Sequence, residues 1–270
     1  MSRVRETAEG TGLTEDGPRR DGADAPLLAL ENVTRRFGTL KAVDSVSLNV
    51  YGNEKRAVIG PNGAGKTTLF DVVAGDLSLT TGRIFFEGEE VTSLAAHRRA
   101  RLGIARTFQK STLFPALTVL ENLLLSVQAS SPQRRSPLAS RWRDEIVDRA
   151  GELLARVDIG ARADVAVAEL SHGEQRQIEI LLAASREPKL LLLDEPTAGL
   201  ARAELPLIAD TLQELCSGVT MVLIEHDMSF VFGLAEIITV LHHGSVVAEG
   251  TVDEVRSDST VQAVYLGETV

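Results

Sequence analysis

The stretch Gly60-Pro61-Asn62-Gly63-Ala64-Gly65-Lys66-Thr67-Thr68 decides how this chain is read. It fits the pattern G-x-x-x-x-G-K-[ST]. The apolar segment Ala57-Val58-Ile59 leads into it and a helix-like run from Thr67 to Ala74 leads out, the strand–loop–helix context that the pattern needs. Gly60, Gly63 and Gly65 allow backbone conformations closed to other residues and a close approach to an anion. Successive N–H groups then turn toward phosphate oxygens, and the helix N-terminus adds a positive partial charge. All nine residues form the expected nucleotide cradle. Lys66 is expected at the β- and γ-phosphates, and the Thr67 hydroxyl in the shell of a Mg²⁺ ion.

Composition narrows the classes. The 270 residues are 44% hydrophobic, enough for one large or two modest domains with a sizeable core. The net charge is −10 and the isoelectric point about 5.1. That argues against a nucleic-acid surface and against a polybasic membrane anchor. The one cysteine, Cys216, lies in an apolar helical pattern and reads as a buried, unreactive thiol. No apolar run nears the roughly eighteen residues of a membrane span, and no secretory h-region opens the chain. A cytosolic protein is expected, brought to any membrane by a partner.

Residues 1–26 are rich in Arg, Asp, Glu and Gly, lack aromatics, and are expected to form a disordered tail. Strand-like segments follow at 27–33 and 42–50. Phe37 lies between them, either as a core contact or as a stacking face for a base. Glu54-Lys55 reads as a turn. Residues 77–91 read as a hairpin with turns at 80–82 and 87–88. The basic run 95–106, with Arg98, Arg99, Arg101 and Arg106, reads as a solvated helix face. A short strand to Gln109 follows. Gln109 is either a surface residue or, in a parallel sheet, lies beside the phosphates and orients water or Mg²⁺. Residues 117–127 and 144–157 carry apolar residues at helical spacing, with a Pro/Ser/Arg-rich loop at 130–137 between them. Trp142 at its edge is assigned to packing. This region reads as a helical subdomain, about residues 111–185, inserted in an α/β domain.

Ser171 and Glu174 form a capping box at the start of a helix expected over 174–185. The functional alternative is that Ser171 and the Gly173 backbone offer a second anion site there. Residues 189–194 form a continuous apolar strand, suited to a sheet covered on both faces, and it ends in Asp194 and Glu195. Asp194 is expected to hold Mg²⁺ and Glu195 to polarise the attacking water. A third such strand, 220–224, precedes His226. In doubly wound sheets ligands gather at the carboxyl ends of strands, so His226 is expected to contact the γ-phosphate. A hairpin turns at His243-Gly244. The adjacent His242 and His243 are expected to diverge and to be poor metal ligands. One helix, 251–265, closes the chain.

Together these residues resemble the ATP-binding cassette of ABC transporters over residues 27–270. Gly60–Thr68 matches Walker A, Gln109 the Q-loop, Leu170–Gln175 the signature, Leu190–Glu195 Walker B with its catalytic Glu, and His226 the switch. Phe37 matches the adenine-stacking aromatic. Ala105-Arg-Thr-Phe-Gln109, Ile224-Glu-His-Asp-Met228 and Val264-Tyr-Leu-Gly-Glu268 look like the branched-chain amino acid importer ATPases and their relatives for urea and other amides. Leu170-Ser-His-Gly173 and residues 240–250 lean toward the urea branch. The resemblance implies a P-loop NTPase fold with a RecA-like core, an antiparallel β subdomain and the helical insert. It implies ATP and Mg²⁺ as cofactors, with Lys66, Gln109, Glu195 and His226 catalytic, and Thr67, Gln109 and Asp194 around the metal. Two cassettes would pack head to tail, with Ser171 and Gly173 of one facing ATP on the other. Integral membrane permease subunits, and indirectly an extracytoplasmic solute-binding protein, are the implied partners, at the cytoplasmic face of the membrane. The chain departs from the usual LSGGQ at His172 and Glu174, and carries Ala201 where many cassettes have Asp. The alternatives are a soluble cassette ATPase, which would carry a long coiled coil between Lys66 and Ser171, and an ATP-dependent assembly or regulatory module.

Overall fold

A computed structural model describes residues 25–107, 113–130 and 139–266. The strands are β1 (Leu28–Phe37), β2 (Leu40–Val50), β3 (Lys55–Ile59), β4 (Thr81–Phe86), β5 (Glu89–Glu90), β6 (Ile104–Arg106), β7 (Leu190–Asp194), β8 (Thr220–Ile224), β9 (Ile237–His242) and β10 (Ser245–Thr251). The helices are α1 (Lys66–Ala74), α2 (Ala96–Leu102), α3 (Val119–Ser130), α4 (Ala139–Leu154), α5 (His172–Ala184), α6 (Leu205–Leu215), α7 (Met228–Leu234), α8 (Val252–Ser257) and α9 (Ser259–Leu266).

Two sheets form. Strands β2-β1-β4-β5 make an antiparallel sheet, and β10-β9-β3-β8-β7-β6 make a second sheet. In the second, β9, β3, β8, β7 and β6 run parallel and only β10 runs against them. The apolar runs of β7 and β8 are buried along their whole length, as strands covered on both faces must be. Their side chains alternate between two cores with the pleat. Leu191, Leu193, Met221 and Leu223 enter a core shared with α3 to α7. Leu190, Leu192, Val222 and Ile224 enter a second core with α1 and the antiparallel sheet. The α/β fold with an antiparallel β region follows directly.

Several expectations change. Glu54 is not in a turn: it is 1% exposed and pairs with Arg56 at 2.6 Å, because the turn falls at Gly52-Asn53 instead. Thr81 and Gly82 belong to β4, where Thr81 pairs with Thr34 of β1. The C-terminal helix is two helices, broken at Asp258, whose carboxylate accepts from Thr260 N at 2.6 Å and so caps α9. Helix α4 starts at Ala139, earlier than its apolar spacing indicated. The 130–137 loop, apart from Ser130, and nearly all of the 1–26 tail lie outside the described residues. Cys216 is fully buried at the end of α6, and burial pushes its thiol up to about 12.

The largest correction concerns the basic run. Arg99 does not face solvent. It is 2% exposed, and its guanidinium donates to Val72 O and Val73 O at 2.8 and 2.7 Å, and to Leu94 O and Thr92 O at 3.0 Å each. Val72 and Val73 lie in the last turn of α1, whose carbonyls have no intrahelical partners. A buried cation there satisfies them and favours the negative end of the helix dipole. Burial lowers the Arg99 pKa, with the Asp76 charge opposing it. Arg99→Met keeps the apolar stem but strands four carbonyls. It is expected to cost about 3 kcal/mol, since hydrogen bonds to a charged group contribute about 1.5–3 kcal/mol each and are only partly replaced by water. Equilibrium urea unfolding reads this as a lower midpoint at unchanged slope.

Candidate nucleotide-binding site

The site is built where three parallel strands end level. Val58 of β3 pairs with Ile224 of β8, and Asp194 of β7 pairs with the same Ile224. The loop 60–65, the pair Asp194-Glu195 and His226 therefore emerge side by side. The loop fits only glycine at two places. A Cβ on Gly60 (φ 146°) would lie 2.1 Å from Leu241 O, and one on Gly65 (φ 100°) 2.1 Å from Ala42 O. Lys66 starts α1, is 6% exposed, and donates from Nζ to Gly60 O at 2.6 Å and Pro61 O at 2.9 Å. Its charge is thus held at the mouth of the loop.

A cleft of about 480 Å³ opens over this loop, a size suited to a nucleotide. It is lined by Phe37, Asn62, Gly63, Ala64, Gly65, Lys66, Thr67, Thr68, Glu195 and His226 among the expected residues, and by His243. Phe37 is 46% exposed at the end of β1, so it is not a core contact, and Arg35 lies over its ring at 4.6 Å. Glu195 Oε1 and His226 Nε2 are 2.7 Å apart. Glu195 adopts φ 47°, a left-handed conformation rare for a residue with a side chain. Glu225, 2% exposed, ties the neighbouring turns: it accepts from Thr197 N and Oγ1 at 2.8 and 2.6 Å and from His226 N at 2.9 Å.

Asp194 is fully buried and does not line the cleft. Its Oδ2 accepts from Arg106 Nη2 at 2.9 Å, while Oδ1 has no hydrogen-bond partner among the described residues. Arg106 also donates to Asp71 at 2.6 Å and Asp76 at 3.1 Å. It is therefore a second departure from the solvated basic face. Burial works to lower its pKa, but hydrogen bonds and charge from Asp71 and Asp194 outweigh burial and the net direction is upward. Gln109 lies outside the described residues.

The start of α5 lies apart from this cleft. Ser171 Oγ accepts from Glu174 N at 3.2 Å and Ser171 N donates to Glu174 Oε2 at 2.8 Å, so the capping box is formed. Glu174 also pairs with Arg162 at 2.9 Å. Ser171 is exposed, but Gly173 is buried, and its N–H donates to Glu204 Oε1 at 3.2 Å. A carboxylate of this chain thus occupies the donor expected to meet an outside anion, as the helix N-terminus favours. His242 and His243 do not diverge: their rings lie 4.0 Å apart, tilted by 50°. The positive φ of His243 (47°) at the turn brings them together.

A model of the ABC transporter family matches residues 43–198, and one described as branched-chain amino acid ATP-binding cassette transporter matches residues 245–270. The chain belongs to the ABC transporter family. It is 37% identical over 90% of its length, and 98% of the relative's, to the high-affinity branched-chain amino acid transport ATP-binding protein LivG of Escherichia coli (strain K12). The ADP conformation of the ABC transporter cassette MJ1267 matches with a TM-score of 0.78 at 33% identity, covering 90% of this chain and 100% of that one. A dimeric post-hydrolysis structure of the cassette MJ0796, bound to ADP and Pi, matches with a TM-score of 0.70 at 27% identity, covering 83% and 98%. The ABC cassette is thus an ATP-hydrolysing transporter subunit of a kind that binds nucleotide, dimerises and works with membrane subunits.

The sequence reads Arg106 as part of a solvated face and His243 as a turn residue, and gives Glu204 and Glu225 no role at the site. The structure instead places Arg106 at the end of β6, which pairs with the carboxylate-ended β7. Lys66→Ala removes the cation at the loop mouth, and ATP affinity should fall by roughly 10- to 100-fold, the equivalent of one or two charge-assisted hydrogen bonds. Titration with a fluorescent ATP analogue reads it, and unchanged affinity would contradict the placement.

Proposed function

We propose that this cassette powers an importer of branched-chain amino acids, hydrolysing ATP at the cleft over residues 60–68. The observation that carries the reading is the meeting of Lys66, Glu195 and His226 at one 480 Å³ cleft at level strand ends. The adenine stacks on exposed Phe37, and the triphosphate lies along the N–H groups of Asn62 to Thr68. Lys66 turns its charge to the β- and γ-phosphates. Glu195 orients the attacking water, and His226, 2.7 Å from it, contacts the γ-phosphate and holds the carboxylate in place.

The donor set fits Mg²⁺. No cluster of three or more His, Cys, Asp or Glu suited to a metal exists among the described residues. A dedicated cage is not what Mg²⁺ takes; it is held by one or two protein oxygens together with phosphates and water. The Thr67 hydroxyl and the buried Oδ1 of Asp194, unpartnered among the described residues, are such oxygens. The ion would neutralise charge on the β- and γ-oxygens. Arg106 meanwhile balances Asp194 from the other side.

Two cassettes pair so that the exposed Ser171 turn of one covers the cleft of the other, an isologous contact that closes with two-fold symmetry. Glu204 must release the Gly173 N–H for that turn to meet a phosphate. A groove of about 340 Å³ between β6, α3 and α5, with Phe114 and Leu125 exposed along it, supports docking of a membrane permease subunit there. No helix among the described residues is long and apolar enough to cross a membrane, so that contact is what would hold the cassette at the cytoplasmic face. A solute-binding protein outside the membrane and the permease would select the solute. The name of the LivG relative and the match over 245–270 favour branched-chain amino acids over urea, and transport over a soluble or purely regulatory cassette.

Glu195→Gln keeps the size and loses the carboxylate. Turnover should fall by about 100-fold or more while ATP still binds, since loss of a positioned general base removes 10²–10⁴ in rate. Steady-state phosphate release together with a nucleotide titration checks this. Undiminished hydrolysis would refute the assignment.

A further inference from the structure

We infer that Arg176, on the first turns of α5, is the positioning residue that sets Glu195 for catalysis. Its guanidinium meets three successive main-chain carbonyls of the catalytic turn: Nη2 donates to Asp194 O at 3.1 Å and Glu195 O at 2.9 Å, and Nε to Pro196 O at 2.8 Å. The fork is itself fixed, because Nη1 donates to Glu179 Oε2 one helical turn on at 2.6 Å, with both side chains 12% exposed. Arg176 does not line the nucleotide cleft. It lines a separate cavity of about 300 Å³, which Asp194 and Glu195 also line.

The geometry gives this contact a purpose. Glu195 sits at φ 47°, where a residue with a side chain stays only if its surroundings over-determine it. Three consecutive carbonyls converging on one point are a poor arrangement for a free turn, since their dipoles repel. A planar guanidinium with several donors in a fixed fork is the side chain that turns this repulsion into attraction; a lysine ammonium has no such fork. On the cleft side the turn is held by Glu195 N donating to Ile224 O at 3.0 Å and by Glu225 on Thr197. Arg176 supplies the hold from behind. With the backbone pinned on both sides, the Glu195 carboxylate is aimed across the cleft at His226.

A second consequence is directional. Arg176 is five residues from Ser171, on the same rigid helix, and α5 is also tied to the segment after the turn by Gly173 N to Glu204. A shift of the α5 N-terminus therefore acts on Glu195 through a guanidinium, not through flexible loop.

This inference rests on Glu195 being the catalytic carboxylate, so the test carries Glu195→Gln alongside. In purified full-length chain, Arg176→Met should lower kcat for ATP by about 10- to 100-fold, the penalty for misplacing a reacting group by about an ångström. KM and ATP affinity should stay within about twofold, because Arg176 does not touch the nucleotide cleft. Arg176→Lys, reaching fewer carbonyls, should fall between the two. Wild-type kcat in Arg176→Met beside an inactive Glu195→Gln would overturn this inference alone. Full turnover in Glu195→Gln would overturn it together with the reading beneath it. A parallel loss of ATP affinity and kcat would mark Arg176 as a merely structural residue and overturn the inference too. If Arg176→Met does not fold, the same kcat-against-affinity split in Arg176→Lys decides the matter.

Discussion

Parallel pairing of β3, β8 and β7 is the constraint on which the remainder depends. Strand β8 is hydrogen-bonded to both neighbours, and Val58 and Asp194 both lie opposite Ile224. A slip of one residue would invert every side chain in the pleat and send Leu191 and Leu193 into the wrong core. It would also move Glu195 about one residue's rise away from the loop 60–65. Register is thus fixed twice, by two apolar cores on opposite faces. The chemistry at the strand ends inherits that precision, and side-chain contacts such as Glu195 with His226 are laid on top of it.

Around this frame the acidic chain places four of its arginines inside. Arg56, Arg99, Arg106 and Arg176 are each buried or nearly so, and none is left without partners. Their partners differ in kind. Arg56 bridges Glu54 and Glu249, Arg106 gathers Asp71, Asp76 and Asp194, and Arg99 and Arg176 mainly serve main-chain carbonyls. The last two do the same job at different places, one at the end of α1 and one at the turn after β7. A guanidinium is suited to it because five donors in one plane satisfy several acceptors with a single charge.

How legible was this in the sequence? Features carried by strict local rules read well. The apolar runs 57–59, 190–193 and 220–224 could only be strands covered on both faces, and the Ser171 capping box follows from four residues. The match of Gly60–Thr68 to its pattern, followed by carboxylates and a histidine at strand ends, was enough to reach the family. Long-range pairing of polar groups did not read. Nothing near Arg99 in sequence announces the carbonyls of Val72 and Val73, and a basic helix is normally solvated. Arg176 looks like any helical arginine until β7 is laid beside α5. Gly173 was expected to offer its N–H outward because Glu204, thirty-one residues on, could not be seen to take it. Turn boundaries such as Glu54 moved for the same reason, since burial of a charge depends on a partner arriving from elsewhere.

The chain's single sulfhydryl, Cys216, is sealed at the foot of α6 with its proton held to about pH 12. At neutral pH it is therefore a poor nucleophile toward alkylating probes. An introduced surface cysteine would be the one position to take a spin label or fluorophore, with no need to strip the native thiol first. Distances between two copies of the cassette, or between cassette and membrane subunit, could then be followed through the working cycle in otherwise unaltered protein.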